Sequence, residues 1–391
     1  MKKYKFEEFA INCTKKRTPT PEDYPLYIGL EHMDTKCIRV TRWGSSVPIK
    51  GDKLIMQKGD VLLGKRNAYL RRAAIAPHDG LFSAHGMVLK PKEKIVDKDF
   101  FALFVASDYF FDAAIRISVG SLSPTINWSD LKNLEFWLPS LEEQKRIAEV
   151  LWSINNTKDS YKNMIEANKK LLEAYFCKMF GDPTDDNTKK HSLLRLKDIF
   201  EKPQAGEWGS DDDTGNGVPV LRTTNFTDEG IIDFTEVVTR NIDRSKVDKK
   251  SIKFGDILME KSGGSTDKPV GRVVLYEDED GKYLNNNFTA VLRLLDKFRL
   301  NYIYVFYFMY LNYWFNGTSD YENKTTGIHN INLDMFLENT KIPYASEEEQ
   351  KTFVDLFNKV KKSNDCFKSE INHLDEMYKT IITNCLTNKE E

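Results

Sequence analysis

The chain has 391 residues, with 57 Lys and Arg against 59 Asp and Glu and 40% apolar residues, which is long enough for two or three domains and too balanced for a disordered chain. Its five cysteines (Cys13, Cys37, Cys177, Cys366, Cys385) are scattered, with no C-x-x-C pair and no histidines at ligand spacing, so neither a disulfide framework nor a metal site is expected, and a reducing, cytoplasmic setting fits. Met1 to Ala10 is charged and lacks the apolar core of a signal peptide.

In chain order, the first segment combines strand-like runs over Lys53 to Leu63 and Gly86 to Leu89 with an aromatic-rich helix over Phe100 to Ile117. Ser140 and Glu143 then have the S-x-x-E spacing of a capping box, which opens a long helix. Gly181 and Pro183 end it. A second segment follows, with strand-like runs over Val218 to Leu221 and Ala290 to Leu295 and an aromatic helix over Leu300 to Phe315. That last stretch is shorter than the roughly 20 residues a bilayer span needs and carries Asn301 and Asn312, so it reads as a buried helix with no membrane role. Ser346 and Glu349 open a second long helix.

The second half repeats the first. Gly59-Asp60-Val61-Leu62-Leu63 returns as Gly255-Asp256-Ile257-Leu258-Met259, an offset of 196, and Ser140-Leu141-Glu142-Glu143-Gln144-Lys145 returns as Ser346-Glu347-Glu348-Glu349-Gln350-Lys351, an offset of 206. The drift implies about ten residues of insertion in the second copy.

Within the first long helix a seam recurs at alternating steps of four and three: Ile147, Leu151, Ile154, Lys158, Tyr161, Ile165, Asn168, Leu172, Tyr175 and Met179. The second helix gives Phe353, Phe357, Val360, Asn364, Phe367, Ile371, Leu374, Tyr378, Ile381 and Cys385. A spacing of 3.5 held for ten positions predicts a coiled coil, because a lone amphipathic helix drifts at 3.6. About 40 residues of helix make a rod of roughly 60 Å, longer than the globule that about 160 residues form. Chain continuity therefore favours an antiparallel pair with a domain at each end, a dumbbell with a pseudo-twofold axis. The expected fold class is α+β: a first domain over 1–139, a helix over 140–181, a second domain over 182–343 and a helix over 344–391.

No catalytic motif stands out. Ser262-Gly263-Gly264-Ser265-Thr266-Asp267-Lys268 only echoes a phosphate loop, and there is no G-x-G-x-x-G, H-E-x-x-H or nucleophile elbow. His85 and His329 read as structural or binding residues. Polar clusters flank the strands instead. Lys65, Arg66, Asn67, Tyr69, Arg71 and Arg72 follow the first buried strand, with Arg39 and Arg42 upstream. The second copy offers Arg222, Thr223, Thr224 and Asn225, together with Lys261, Ser262, Lys268 and Arg272. Such residues suit phosphates and base edges, and a solvated loop is the plain alternative. Residues 1–140 carry 22 basic and 16 acidic residues, net +6, while 181–341 carry 21 and 27, net −6; only the first segment looks like a nucleic-acid binder by bulk charge.

Leu138 to Leu151 (LPSLEEQKRIAEVL), its weaker copy Ile342 to Lys351, Tyr27-Ile28-Gly29-Leu30-Glu31, Gly59 to Leu62 and Val220 to Asn225 resemble the specificity subunits of type I restriction-modification systems over essentially the whole chain. The second helix departs from that pattern at Tyr344-Ala345-Ser346 and Thr352 to Leu356. The resemblance implies a non-catalytic reader of double-stranded DNA, each target-recognition domain reading half of a bipartite site. The helices would set the spacer and dock two methyltransferase subunits. No cofactor would be bound by this chain: S-adenosylmethionine belongs to the methyltransferases, and ATP and Mg to a restriction motor-nuclease subunit. The loops Ser118 to Asn127 and Asn323 to Asn332 add Gly120, Ser121, Ser123, Gly327 and Asn330 as secondary candidates. The competing reading is a scaffold that spaces two protein clients, suggested by the acidic second segment; a nuclease or methyltransferase acting alone is a third.

Overall fold

The computed structural model describes residues 1–185, 190–264, 268–325 and 328–387. They divide into two compact units, Met1–Asn163 with Cys366–Glu391, and Met164–Asp365. Both mix helix and sheet, and the second is built on the plan of the first.

In chain order the first unit contains β1 (Lys2–Lys5), β2 (Ala10–Cys13), β3 (Lys16–Arg17), β4 (Tyr27–Ile28) and β5 (Lys53–Met56). There follow β6 (Val61–Gly64), β7 (Ala73–Ile75), β8 (Gly80–Phe82), β9 (Gly86–Pro91), helices α1 (Lys98–Val105) and α2 (Asp108–Arg116), and β10 (Glu135–Leu138). One antiparallel sheet has the order β2-β9-β6-β7; a second has the order β3-β5-β8-β4, with β4 and β8 parallel; β1 pairs with β10. The run Lys53 to Leu63, expected as one stretch, is two strands in different sheets, because a turn at Gln57–Asp60 redirects the chain. The aromatic helix is likewise two, broken at Ser107, whose hydroxyl donates to the Phe104 carbonyl at 2.6 Å and accepts from the Phe110 amide at 3.2 Å.

β6 is apolar throughout because both its faces are covered. Val61 and Leu63 point into a core with Phe100, Phe101, Phe104 and Phe110, while Leu62 points into another with Ile28, Leu54 and Phe82. The second unit repeats this alternation with Ile257 and Met259 on one side and Leu258 on the other.

That unit contains β11 (Leu193–Arg195), β12 (Gln204–Ala205), β13 (Ser210–Asp211), β14 (Val218–Leu221), β15 (Val238–Asn241) and β16 (Ile257–Glu260). Then come β17 (Val273–Leu275), β18 (Leu284–Asn285), β19 (Thr289–Leu292), helix α3 (Tyr302–Trp314), β20 (Glu322–Thr325), β21 (Ile328–Ile331) and β22 (Lys341–Pro343). The sheet β12-β19-β16-β17 matches β2-β9-β6-β7 strand for strand. The other sheet, β13-β15-β14-β18, keeps its parallel pair but exchanges the two members, so β15 lies beside β14 where β5 lies beside β8. A helix over Arg244–Lys250 fills the connection from β15 to β16, which in the first unit is only the four-residue turn from β5 to β6.

Two interactions recur in both copies. At the turn before each central strand, Gly59 and Gly255 have φ of +91° and +84°, a left-handed conformation that costs glycine little. The carboxylate of the next residue closes the turn, Asp60 accepting from the Gln57 amide and Asp256 from the Lys253 amide, both at 2.8 Å. Both aspartates are buried and ion-paired, to Lys90 at 3.3 Å and to Arg293 at 2.6 Å. At the start of each long helix a glutamine is wholly buried. Gln144 accepts from the Asp97 amide at 2.8 Å and donates to the carbonyls of Pro139 and Ile95 at 2.9 and 3.2 Å. Gln350 accepts from the Asn301 amide at 2.7 Å and donates to the Ala345 carbonyl at 3.0 Å. Each ties the first turn of a long helix to the start of an aromatic helix.

The long helices span Leu141–Phe180 and Glu347–Thr387. In the first unit Ile147, Leu151 and Ile154 share the core with Ile382 and Leu386, and Tyr161 stacks on Phe367 with centroids 5.2 Å apart. In the second, Leu172 and Phe176 share the core with Phe353 and Val360, and Phe176 meets Phe353 edge-on at 5.1 Å. Within each unit the two helix segments are therefore antiparallel. Ile165, Phe357, Phe367, Ile371 and Leu374 are only half-buried, as befits two strands with solvent on both flanks. The polar seam positions pair with one another: Lys158 with Asp375, and Asn168 Nδ2 with Asn364 Oδ1 at 2.7 Å. The capping box is complete at Ser346, where Glu349 accepts from the Ser346 amide at 3.1 Å and the serine hydroxyl accepts from the Glu349 amide at 3.3 Å. At Ser140 only the hydroxyl half forms, at 3.3 Å, because Glu143 turns to Arg146.

Gln144→Ala would leave the Asp97 amide and two carbonyls without partners, and a loss of about 2–3 kcal/mol in urea unfolding is expected; an unchanged midpoint would refute the clamp. Lys190, then Ser346 and His191, lower the Glu349 pKa from 4.5 to about 2. A depressed carboxylate stabilises the fold above its unfolded pKa, so this contribution is lost as pH falls from about 4.5 to about 2. Glu349→Gln should flatten the acid limb of a thermal melt over that window.

Candidate nucleic-acid interface

In both units the loop after the central strand is held by its main chain. The amides of Lys65 and Arg66 donate to the His85 carbonyl at 3.2 and 3.3 Å, and the Lys65 carbonyl accepts from the Ile126 amide at 2.9 Å. In the second unit the amides of Lys261 and Ser262 donate to the Phe288 carbonyl at 2.7 and 3.2 Å, and the Lys261 carbonyl accepts from the Ile331 amide at 2.9 Å. Three segments thus meet at one edge of each unit: the loop after β6 or β16, the turn before β9 or β19, and the stretch that follows the aromatic helices. Bridges Arg66–Thr125 and Ser262–Asn330 complete the frame.

The structure sorts the first-copy candidates. Arg66 is exposed and makes no ion pair among the described residues; Lys65 is half-exposed, and Tyr69 projects outward at 57% exposure. Asn67 and Arg71 flank a short turn in left-handed conformations, φ +55° and +47°. Arg71 is held by Asp108 and Asp112 at 2.8 and 2.6 Å, which fastens the turn to α2. Arg72 carries a buried Nε without a partner. Gly120 and Ser121 are exposed beside this turn, and Ser123 is half-buried. Arg39 and Arg42 lie apart from it. Arg39 lies over Trp152, pairs with Asp159 and donates to Asn156 at 2.6 Å, and Arg42 pairs with Asp34 at 2.6 Å. Both arginines are therefore ion-paired within the unit while staying largely exposed.

In the second copy, two clusters separate in sequence converge on one cleft. Thr223, Thr224, Gly263, Gly264, Lys268 and Arg272 line it with Phe226, Glu260 and Pro269. Asn225 is a correction to the sequence reading. It is 3% exposed, its Oδ1 accepts from the Arg222 amide at 2.9 Å, and its Nδ2 donates to the carbonyls of Asp233 and Glu236 at 2.9 and 3.2 Å. Buried, with both of its donors committed, this amide holds the turn together. Arg272 is engaged too: burial opposes its charge, but its bond to Glu260 outweighs burial and raises its pKa. Arg222 is half-buried, with an unpartnered Nε. Lys268 pairs with Asp228 at 2.7 Å. Asn330 joins the frame through its bridge to Ser262, while Gly327 and the Ser265-Thr266-Asp267 part of the phosphate-loop echo lie outside the described residues. His329 bonds Glu322 at 2.7 Å, and His85 is exposed at the turn that holds Lys65. Sequence reasoning missed Phe288, 55% exposed on the frame of the second unit; its place opposite His85 in the repeat was the available signal.

No group of three or more metal-ligating side chains occurs among the described residues, and none of their helices is long and apolar enough to cross a membrane. A duplicated α+β fold that presents a main-chain frame with exposed basic and aromatic side chains defines a two-module recognition protein. The family model for the type I restriction modification DNA specificity domain matches residues 15–168 and 189–376, and the chain belongs to that family. The family is one of DNA specificity domains. It is 27% identical over 205 residues to the EcoKI specificity subunit of Escherichia coli K12, covering 48% of this chain and 43% of that one. It is 25% identical over 213 residues to the putative MjaX specificity subunit of Methanocaldococcus jannaschii, covering 51% and 48%. The chain thus spans about half the length of the curated relatives it matches. Among solved structures, the type I restriction-modification S subunit from M. genitalium has a TM-score of 0.55 at 14% identity, over 100% and 96% of the two chains. A chain from a type I R-M system studied for complex assembly and conformational transition has a TM-score of 0.54 at 19%, over 98% and 97%. Both show the fold.

Arg66→Ala is expected to weaken binding to duplex DNA several-fold for all sequences and to reduce the slope of log K against log salt by about one. Salt-titrated fluorescence anisotropy reads both. Asn225→Ala should instead lower stability by roughly 2 kcal/mol, seen as an earlier urea midpoint.

Proposed function

We propose that the chain is the non-catalytic sequence-reading subunit of a cytoplasmic type I restriction-modification complex, each unit reading one half of a bipartite DNA site. The observation that carries this reading is the repeated loop frame, set at the same strand positions in both units of a chain whose two halves each match the DNA specificity family. Two methyltransferase subunits would dock on the long helices and bring S-adenosylmethionine; restriction subunits would bring the ATP- and Mg-dependent motor and nuclease. The chain itself would hold no cofactor.

Helices of about 40 residues limit the spacer to roughly 60 Å, or about 18 base pairs, and half-sites one to one and a half turns apart are expected. The test is co-purification with a methyltransferase encoded beside this gene, followed by footprinting and by sequencing of genomic adenine methylation with and without the chain. Two protected blocks and a bipartite motif lost with the chain are expected; one continuous block would contradict the reading. The net charge of −6 over residues 181–341 favours the scaffold as a second reading. Absence of DNA binding at low salt, with a stable protein client, would select it.

A further inference from the structure

At the last position of the central strand one copy has glycine, Gly64, and the other glutamate, Glu260. The amide of Gly64 donates to the carbonyl of Arg72, and the amide of Glu260 donates to that of Arg272, both at 2.8 Å, so Gly64 and Glu260 occupy one place in the repeat, and Arg72 and Arg272 another. In the second unit the Glu260 side chain takes up the arginine. Its two carboxylate oxygens accept from Arg272 Nε at 3.2 Å and Nη2 at 3.3 Å, and the carbonyls of Phe226 and Thr223 accept at 3.1 and 3.2 Å. In the first unit glycine puts no side chain there. Arg72 has no ion pair among the described residues, and its Nε is buried without an acceptor.

A guanidinium keeps its charge and offers five donors in a fixed fork. Leaving one partly buried and unsatisfied is costly, and a fold tolerates it where an acceptor arrives from outside. We propose that position 64 and its counterpart 260 form a built-in switch for DNA reading: Gly64 leaves Arg72 to contact duplex DNA, and Glu260 withholds Arg272 from it. The acceptor is assigned to DNA because Lys65 and Arg66, the first residues of the framed loop, follow Gly64 directly and because the surrounding segment is net positive. The inference rests on the DNA-reading function proposed above. Either a guanine edge or a phosphate offers the needed acceptors.

The test compares the full chain with Arg72→Ala, Gly64→Glu and Gly64→Gln, each co-expressed with its methyltransferase partner and used to select from a random duplex pool, with melting curves alongside. An added Cβ at position 64 would lie 3.1 Å from Arg72 Cβ and 3.4 Å from Leu30 Cδ2, so these neighbours must shift by a few tenths of an ångström, and the melting curves of Gly64→Glu and Gly64→Gln together read that cost. Arg72→Ala and Gly64→Glu should each weaken the selected duplex roughly 10- to 100-fold, and Gly64→Gln, equal in bulk but uncharged, should lose less than Gly64→Glu. Loss confined to one base pair of one half-site assigns a guanine edge, and equal loss on every duplex assigns a phosphate. Arg72→Ala with wild-type affinity and base preference in both half-sites would overturn the switch. A wild-type chain that selects no bipartite duplex would instead overturn the functional reading on which it rests.

Discussion

The buried glutamine at the start of each long helix is the constraint on which the remaining architecture depends. A single amide can fasten two helix ends only if its acceptor and donor both find main-chain partners, and Gln144 and Gln350 do so in matching fashion. The result fixes the first turn of each long helix against the aromatic helix of its own unit. A directional interaction holds such a joint better than apolar packing, which tolerates sliding. The apolar core then adds strength around a geometry already set.

Much of the architecture was legible because it is written twice. The G-D turn, the apolar strand behind it and the S-x-x-E-Q helix start all recur, and the structure gives the copies matching hydrogen bonds. What escaped notice was equally regular. Gln144 and Gln350 sit three residues before Ile147 and Phe353, one further step back along each seam. A polar residue at an apolar position marks a buried group with obligatory partners, and that signal was present but unread. The single aromatic segment of the first copy divides at Ser107 because a hydroxyl there both closes one helix and caps the next, a choice that apolar periodicity does not encode. The exchange of β14 and β18 relative to β4 and β8 was also beyond periodicity, since strand order depends on which neighbour a short edge strand finds.

The site was less legible, for an electrostatic reason. In sequence, Arg39, Arg66, Arg71 and Arg72 look alike. In the fold, Arg39 meets Asp159 on a helix 120 residues away, and Arg71 meets Asp108 and Asp112 on α2. Whether a cation faces solvent or an acid depends on partners distant in sequence, so counting basic residues overstates the interface. Net charge suffers likewise, because Lys246 and Lys250 are both paired with Glu207 within the acidic second unit.

The loops that follow the central strands are framed by amides and carbonyls, and few of their own side chains take part in that frame. Every residue but proline supplies the same main-chain groups. Lys65 or Arg66 in one unit, and Lys261 in the other, can therefore be exchanged for other residues while the supporting strands stay as they are. Under the proposed DNA-reading function, such a scaffold would separate heritable change in what is read from any change in how the chain folds, and a lineage could acquire a new preference in one unit while the other kept its own.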